Sequence, residues 1–600
     1  MQLGLAIAAL FASIFCVSAP ARAACNLLDV AELPVTMRGP TPLVPAKING
    51  SETQLILDTG AFYSILAPKS AKRFDLRPGG LEYRAQLQFR GANGAFLADL
   101  VNVTELTVLN RKFKDVRFLI GGSELDSEIS GLLGQNFLNI EDGEYDLANG
   151  VMRIFRPQDC AGANLAYWAA GQPYSVIPIS LTDLRDRRIR GHATVNGTDI
   201  RVGFDTGSPD SYLSLDAAAR AGLHPKDPGA KRGGLTGGMG RGSIESWIVP
   251  VKNFKIGDEE IRSTRLRIGD IRIGDMDMLL GADFFLSHRV FVSNSQHQLY
   301  FTYNGGPVFN LGDDGAPAGG DAKAGAPSTF QSGSAAGAPT GGPTDAAAIA
   351  RRGQALAARH AYTEALAALN RAVELAPDDA QILLDRGRIY VEHDQPKLAM
   401  ADFDRAVTLK PRSVPIRLAR ADLHLKNKEL AAARADFEAA LSQDSTLRLQ
   451  IANDYSGEGD FEDAVALFGA LLASKPNAEN RLWALEGRCW SRALWNRDLD
   501  NALADCDQAL APPYSSWPPA LDGRAMVRFR MRQYDRALQD YDRVIKVGYR
   551  TAWAYYGRGL TLIALGRITE GQADLTAASD LDSKLAVTAK GYGLTSDVEP

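Results

Sequence analysis

LILDTGAFYSIL occupies residues 55–66: three apolar residues run into Asp58-Thr59-Gly60, and an apolar segment resumes behind them. An ionised, unpartnered carboxylate at the end of a burying strand costs far more than one lost contact. Asp, Thr and Gly are also good turn residues, so this copy alone reads equally well as a tight turn. A second copy decides between the two. INGSETQLILDTGAFYSIL (residues 48–66) is echoed by VNGTDIRVGFDTGSPDSYLSL (residues 195–215). Gly50 stands eight positions before Asp58, and Gly197 stands eight before Asp205. Downstream come GLLGQNFL and MLLGADFF, whose glycines Gly134 and Gly281 each follow their aspartate by 76 positions. A chance turn would not keep register over both spacings.

Paired Asp-Thr-Gly motifs with matched downstream glycines resemble the aspartic proteases, and each half is similar to a retropepsin lobe. The resemblance covers roughly residues 30 to 304 and implies an all-β, bilobal domain whose two acids face each other. It makes Asp58 and Asp205 the catalytic pair. Two carboxylates about 3 Å apart cannot both ionise, so one proton is shared. The ionised partner then acts as general base on a water, and the protonated one donates to the scissile carbonyl. Gly60 and Gly207 would let the backbone turn tightly beneath the acids. By the same resemblance, Thr59 and Thr206 would exchange hydrogen bonds across the lobe junction. The fourth position differs between the halves. Ser208 is able to donate to Asp205 whereas Ala61 has no hydroxyl to offer Asp58, so unequal acid environments are expected.

Each half also carries a Gly-rich segment between its two motifs: FRGANGAFLADL (residues 89–100, with Gly91 and Gly94) and GGLTGGMGRGSIESWIV (residues 233–249, with Gly237 and Gly238). Either is a substrate-covering flap or an ordinary surface hairpin. Other catalytic readings are poor. No Gly-x-Ser-x-Gly elbow occurs, and His192 and His288 read as structural or exposed. No CxxC pair or HExxH appears, so neither a metal nor another cofactor is expected.

At 600 residues the chain is too long for one domain, since a domain takes about 150 residues. A formal net charge of -5 gives no reason to expect nucleic acid as a partner. Residues 1–23, MQLGLAIAALFASIFCVSAPARA, read as an export signal: an apolar core, then Ala21-Arg22-Ala23 as a small-x-small cleavage pattern. The segment lacks a basic start, so a retained anchor is the alternative. No other apolar run is long enough to span a bilayer, so no stable membrane insertion is expected once the signal is removed. Export, to the periplasm or beyond, makes a Cys25–Cys160 disulfide plausible. Cys489 and Cys506, in a helical region, read as small buried apolar residues.

Residues 24–165 and 166–304 are the two β lobes, and Asn196-Gly197 is a hairpin signal within the second. Residues 305–344 are dominated by Gly, Ala, Pro and Ser and read as a flexible linker with a coil span of about 35 Å. From 345 to 600 the pattern turns helical and repetitive. ARRGQALAARHAYTEALAALNRAVELAPDD is followed by LDRGRIYVEHDQPKLAMADFDRAVTLKPRS, with Gly353 matching Gly387 and Pro377 matching Pro411 at an offset of 34. That is the tetratricopeptide period. A small residue recurs at Ala365, Ala399, Ala433, Ala464, Ala502, Ala537 and Gly571, where antiparallel helices need to approach closely. About seven copies are expected, stacked into a solenoid with a concave face for a protein partner.

The reading is therefore an exported aspartic endopeptidase acting on peptide or protein substrates, with repeats that recruit a substrate or partner. Both acids lie in one chain, so a monomer suffices. The competing reading is a protein-binding scaffold whose protease-like part is catalytically silent. A silent relic would be expected to lose an acid or a motif glycine, and neither is lost.

Overall fold

The computed structural model describes residues 25–76, 87–91, 94–108, 111–122, 128–169, 171–180, 188–236, 244–271, 273–309, 311 and 345–595. The expected export signal, Gly237 and Gly238, and most of the expected linker lie outside them.

Each lobe is built around a hairpin and a central strand. Thr41–Ile48 turns through Asn49-Gly50 into Ser51–Leu57, and Arg190–Val195 turns through Asn196-Gly197 into Thr198–Phe204. Both asparagines are left-handed (φ 49° and 50°), a conformation Asn and Gly tolerate and most residues resist. Each asparagine side chain is also fastened to the next hairpin: its Oδ1 accepts the amide of Glu105 or Lys252, both at 3.1 Å.

The downstream apolar-apolar-Gly segments become the central strands. Ile129–Leu133 runs parallel to Ser51–Leu57 and antiparallel to Ile65–Leu66. Met278–Leu280 lies in the same way between Thr198–Phe204 and Tyr212–Ser214. Both strands are buried along their whole length, and each ends in an apolar pair, Leu132-Leu133 and Leu279-Leu280. One central strand thus grips both ends of each Asp-Thr-Gly loop. The lobes contain sheets of eight and seven strands.

A third, six-stranded sheet joins the lobes. Its order is Asn26–Pro34, Val151–Gln158, Asp142–Asp146, His288–Ser293, Gln298–Tyr303, Ser175–Pro178, three strands from each half. The halves meet where Glu144 pairs with Phe291. Glu144 is fully buried there and is neutralised by Arg153 (2.6 Å) and Arg289 (2.9 Å). A disulfide between Cys25 and Cys160 ties the edge strand down.

Residues 305–309 correct the expected linker start. Val308 and Phe309 are buried in the lobe core, with Phe309 edge-on to Phe254 at 5.1 Å. Two apolar side chains suffice to anchor a segment whose composition reads as coil.

Beyond residue 345 stand seven helical hairpins, from Ala346–Ala358 with Tyr362–Leu375 to Ala552–Ala564 with Ile568–Leu581, and a short closing helix, Leu585–Gly591. The recurring small residues all lie on second helices. Ala365, Ala399, Ala433, Ala464, Ala502 and Ala537 are fully buried, and a Cβ on Gly571 would lie 2.7 Å from the Gly559 carbonyl. A ladder of ion pairs runs through the array. Arg386, Arg420, Arg488, Arg524 and Arg558, on first helices, grip the buried Asp402, Asp436, Asp505, Asp540 and Asp574 of their own second helices. Arg420, Arg524 and Arg558 also reach back to Asp404, Asp507 and Asp542 of the preceding hairpin.

Cys489 and Cys506 correct the reading of two separate thiols. They face each other across the fifth hairpin, with Cα atoms 5.7 Å apart, and form a disulfide. The first repeat helix docks on the first lobe. Ala355 and Ala358 join the lobe core, and Arg351 Nε donates to the Gly150 carbonyl at 3.2 Å. At the far end of the array, Arg550 lies 3.7 Å from Glu245 of the second lobe.

Candidate active site

The two Asp-Thr-Gly loops meet at the lobe junction and are built alike, residue for residue, at an offset of 147. Asp58 N donates to the Leu133 carbonyl (3.1 Å), and Asp205 N to the Leu280 carbonyl (2.9 Å). Gln135 N donates to Ala61 O, and Ala282 N to Ser208 O. The backbone at both ends of each loop is therefore fixed by the downstream motif, which explains why the two motifs keep their spacing.

Thr59 and Thr206 are completely buried and exchange hydrogen bonds. Thr59 N donates to Thr206 Oγ1 (3.1 Å), and Thr206 N to Thr59 Oγ1 (3.0 Å). Each hydroxyl donates onward across the junction, Thr59 to the Phe204 carbonyl (2.9 Å) and Thr206 to the Leu57 carbonyl (2.6 Å). All four polar groups are satisfied away from water, which a buried site requires.

Each glycine lies beneath the other lobe's acid. A Cβ on Gly60 would sit 2.1 Å from Asp205 Cγ, and one on Gly207 would sit 2.4 Å from Asp58 Cγ. Only glycine leaves room for the carboxylates to converge. The two acids come within hydrogen-bonding reach of one another. Both are half-buried. Burial raises both above the usual carboxylate range, and Asp58 is raised further because it also faces the charge of Asp205. On Asp205, its bond with Asp58, the amides of Gly207 (2.9 Å) and Ser208 (3.2 Å) and the more distant Arg188 charge oppose that rise.

The expected source of asymmetry needs correction. The Ser208 hydroxyl turns away from Asp205 to donate to the Asp210 carbonyl at 2.8 Å, and the Ala61 amide donates to Asp58 Oδ1 at 2.7 Å. Both acids accept two loop amides, from Gly60 and Ala61 on Asp58 and from Gly207 and Ser208 on Asp205, and their environments differ through nearby charge, with Arg188 favouring Asp205. Ser208 serves the acid through its amide, while its hydroxyl is taken up by the turn.

A supporting layer escaped sequence reasoning. Behind the first loop, Ser64 N and Oγ donate to Asn136 Oδ1 at 2.7 and 2.8 Å. Behind the second, Ser211 donates in the same way to Asp283, at 3.0 Å from N and 2.6 Å from Oγ. The serine hydroxyls in turn accept the amides of Gly134 and Gly281. The offset of 147 relates Ser64 to Ser211 and Asn136 to Asp283, so the internal repeat held the signal.

Gly91 and Gly94 pair with each other at the tip of the hairpin formed by Leu87–Gly91 and Gly94–Val108. The matching strands of the second lobe, Lys231–Thr236 and Ile244–Ile256, are also paired. Neither histidine reaches the acids. His288 is buried, stacked on Phe284 and bonded to Glu259, while His192 is exposed beside Asp199.

Comparisons agree with this division. The family model described as aspartyl protease matches residues 44–137 and 192–284. The tetratricopeptide repeat model matches 350–414, 384–447, 449–516 and 523–583. The chain thus joins a two-lobed, aspartyl protease-like domain to a tetratricopeptide repeat array. Among solved structures, it is similar to a tetratricopeptide repeat protein from Parabacteroides merdae, at 16% identity, over 41% of this chain and 98% of that one, with a TM-score of 0.34. It is also similar to the TPR domain of P58(IPK), at 18% identity, over 36% of this chain and 65% of that one, with a TM-score of 0.19. No curated protein matches.

Proposed function

We propose that the chain is an aspartic endopeptidase in which Asp58 and Asp205 activate a water between them. The observation that carries this reading is the reciprocal placement of Thr59, Gly60, Thr206 and Gly207, which holds two carboxyls together at a half-buried junction. Asp205, whose charge Arg188 also favours, takes the role of general base. Asp58, raised further, holds the proton and donates it to the scissile carbonyl oxygen. Asp205 takes a proton from the water as Asp58 gives one up, so the pair holds one proton before and after the step, and no covalent intermediate is required because water is the nucleophile. An extended peptide would lie across both lobes beneath the Gly91–Gly94 hairpin and add to exposed strand edges.

The repeats would bring protein partners to this site, since tethering raises effective concentration without changing the chemistry. Two disulfides suit an oxidising compartment and support export, with the periplasm the natural destination. Cell fractionation with and without residues 1–23 tests that part.

The activity itself is tested by incubating the chain from Ala24 with a diverse peptide library from about pH 4 to 8. Cleavage is read by mass spectrometry, with Asp58→Asn and Asp205→Asn alongside. Cleavage lost in both variants is the expected result. Cleavage surviving in either variant would refute the paired-acid mechanism.

A further inference from the structure

Six aspartates are buried in the described part of the repeats: Asp402, Asp436, Asp505, Asp522, Asp540 and Asp574. Five of them are gripped by the arginine ladder. Asp522 is not. It is 5% exposed, and its Oδ1 is enclosed without a hydrogen-bond partner. A buried carboxylate left in that state is costly, and proteins rarely keep one without a use for it.

Its position suggests the use. Asp522 stands two residues before the ladder residue Arg524, and Glu486 stands two residues before Arg488 in the preceding hairpin. The two acids therefore occupy equivalent sites on first helices. The first helices of the fifth and sixth hairpins, Ala478–Trp495 and Pro518–Arg530, pack side by side. The acids are close enough for Glu486 to raise Asp522 further, after burial has raised both. Tyr549 lies in the field of both and Tyr541 in that of Asp522.

The surroundings are aromatic. Leu485 and Leu521, the neighbours of the two acids in sequence, belong to a cluster covered by Trp517 and Tyr549. Trp483, one helical turn before Glu486 and 41% exposed, packs edge-on against Trp517 at 4.8 Å. Two carboxylates beside indole and phenol rings form a recognition set for an organic cation, which gains from both the charge and the ring faces.

We propose that Glu486 and Asp522 form a subsite, between the first helices of the fifth and sixth hairpins, for the lysine or arginine side chain of an extended peptide segment. The basic group supplies the partner that Asp522 Oδ1 lacks among the described residues, and the Trp483–Trp517 pair flanks its aliphatic stem. The repeats thereby select basic segments independently of the chemistry at Asp58 and Asp205.

The test uses the full chain carrying Asp58→Asn, so that binding is read apart from any cleavage. Labelled, end-blocked peptide libraries with one position fixed as Lys, Arg, Gln or Glu are titrated by fluorescence anisotropy at about pH 9, above the values to which burial raises the two acids and below that of a lysine. Lys and Arg libraries are expected to bind about tenfold tighter than the Gln library, with Glu weakest. Adding Glu486→Gln or Asp522→Asn should reduce the preference to less than about twofold. Both substitutions are near-isosteric, and circular dichroism melts establish that the repeats stay folded. Equal binding of the Lys and Gln libraries, no binding by any library, or a preference that survives both substitutions would each overturn the proposal.

Discussion

At the scale of single residues, the site depends on groups that leave no slack. Thr206 Oγ1 donates to the Leu57 carbonyl and accepts the Thr59 amide. Thr206→Ala would strand both partners in a dry junction, and we expect it to cost about 2–3 kcal/mol, as for a buried unsatisfied group. Thr206→Ser keeps the hydroxyl and should recover most of that loss. Denaturant midpoints of the three proteins check this, and equal midpoints for the alanine and serine variants would count against the hydroxyl. Gly60→Ala and Gly207→Ala act differently: they drive a methyl group into the opposite acid, so activity should vanish even where the fold survives. The motif aspartates, threonines and glycines were legible in the sequence because an internal copy repeats them in register. The role of Ser208 was misjudged, since a hydroxyl's direction follows from the local turn.

At the scale of elements, the repeats hold together through ion pairs that are mostly buried. Arg386 grips Asp402 through two nitrogens, at 2.8 and 2.6 Å. Removing one partner of such a pair leaves an uncompensated charge, so Arg386→Ala should destabilise the array by about 3–5 kcal/mol. Arg386→Lys should recover only part, because an ammonium cannot make the planar two-point contact. Thermal melts followed by circular dichroism at a helical wavelength give the order expected: parent, lysine, alanine.

Asp522 predicts the opposite sign. Burial, then Glu486, raises it to about 8 in the folded chain, with Tyr541 and Tyr549 as its other titratable neighbours. An acid raised on folding contributes stability that is fully present below its unfolded value and is lost as pH rises through the folded one. The gain from Asp522→Asn should therefore grow between about pH 4 and 8 and level off above. Melting temperatures of the peptide-free chain across that range measure it, and a gain independent of pH would contradict the assignment.

At the scale of the whole molecule, the repeat array is fastened to the protease-like domain at its first helix, Ala346–Ala358. Gly150 makes room for that helix: its φ is +67°, and a Cβ there would lie 2.6 Å from Arg351 Cβ. Gly150→Ala should loosen the docked helix, seen as faster amide exchange in Ala346–Ala358 with little change in the hairpins from residue 414 onward. Unchanged exchange in the first helix would show that the docking tolerates the methyl group. The sequence could not anticipate this joint, because the apolar residues that dock are Ala355 and Ala358, and alanine serves equally well against solvent, another helix or a sheet.

What the sequence by itself determined was whatever repeats. Two copies of an Asp-Thr-Gly strand, two downstream glycines at a common spacing, and small residues at a period near 34 identify the lobes, the acids and the hairpins. Repetition makes such features visible because one physical demand is imposed more than once. The tertiary structure decided what occurs once. It fixed how Thr59 and Thr206 interlock, that Cys489 meets Cys506, that Val308 and Phe309 anchor a segment of coil-like composition, and that Asp522 alone escapes the ladder. Each of these depends on which side chains long-range packing brings face to face, and local composition carries no record of that.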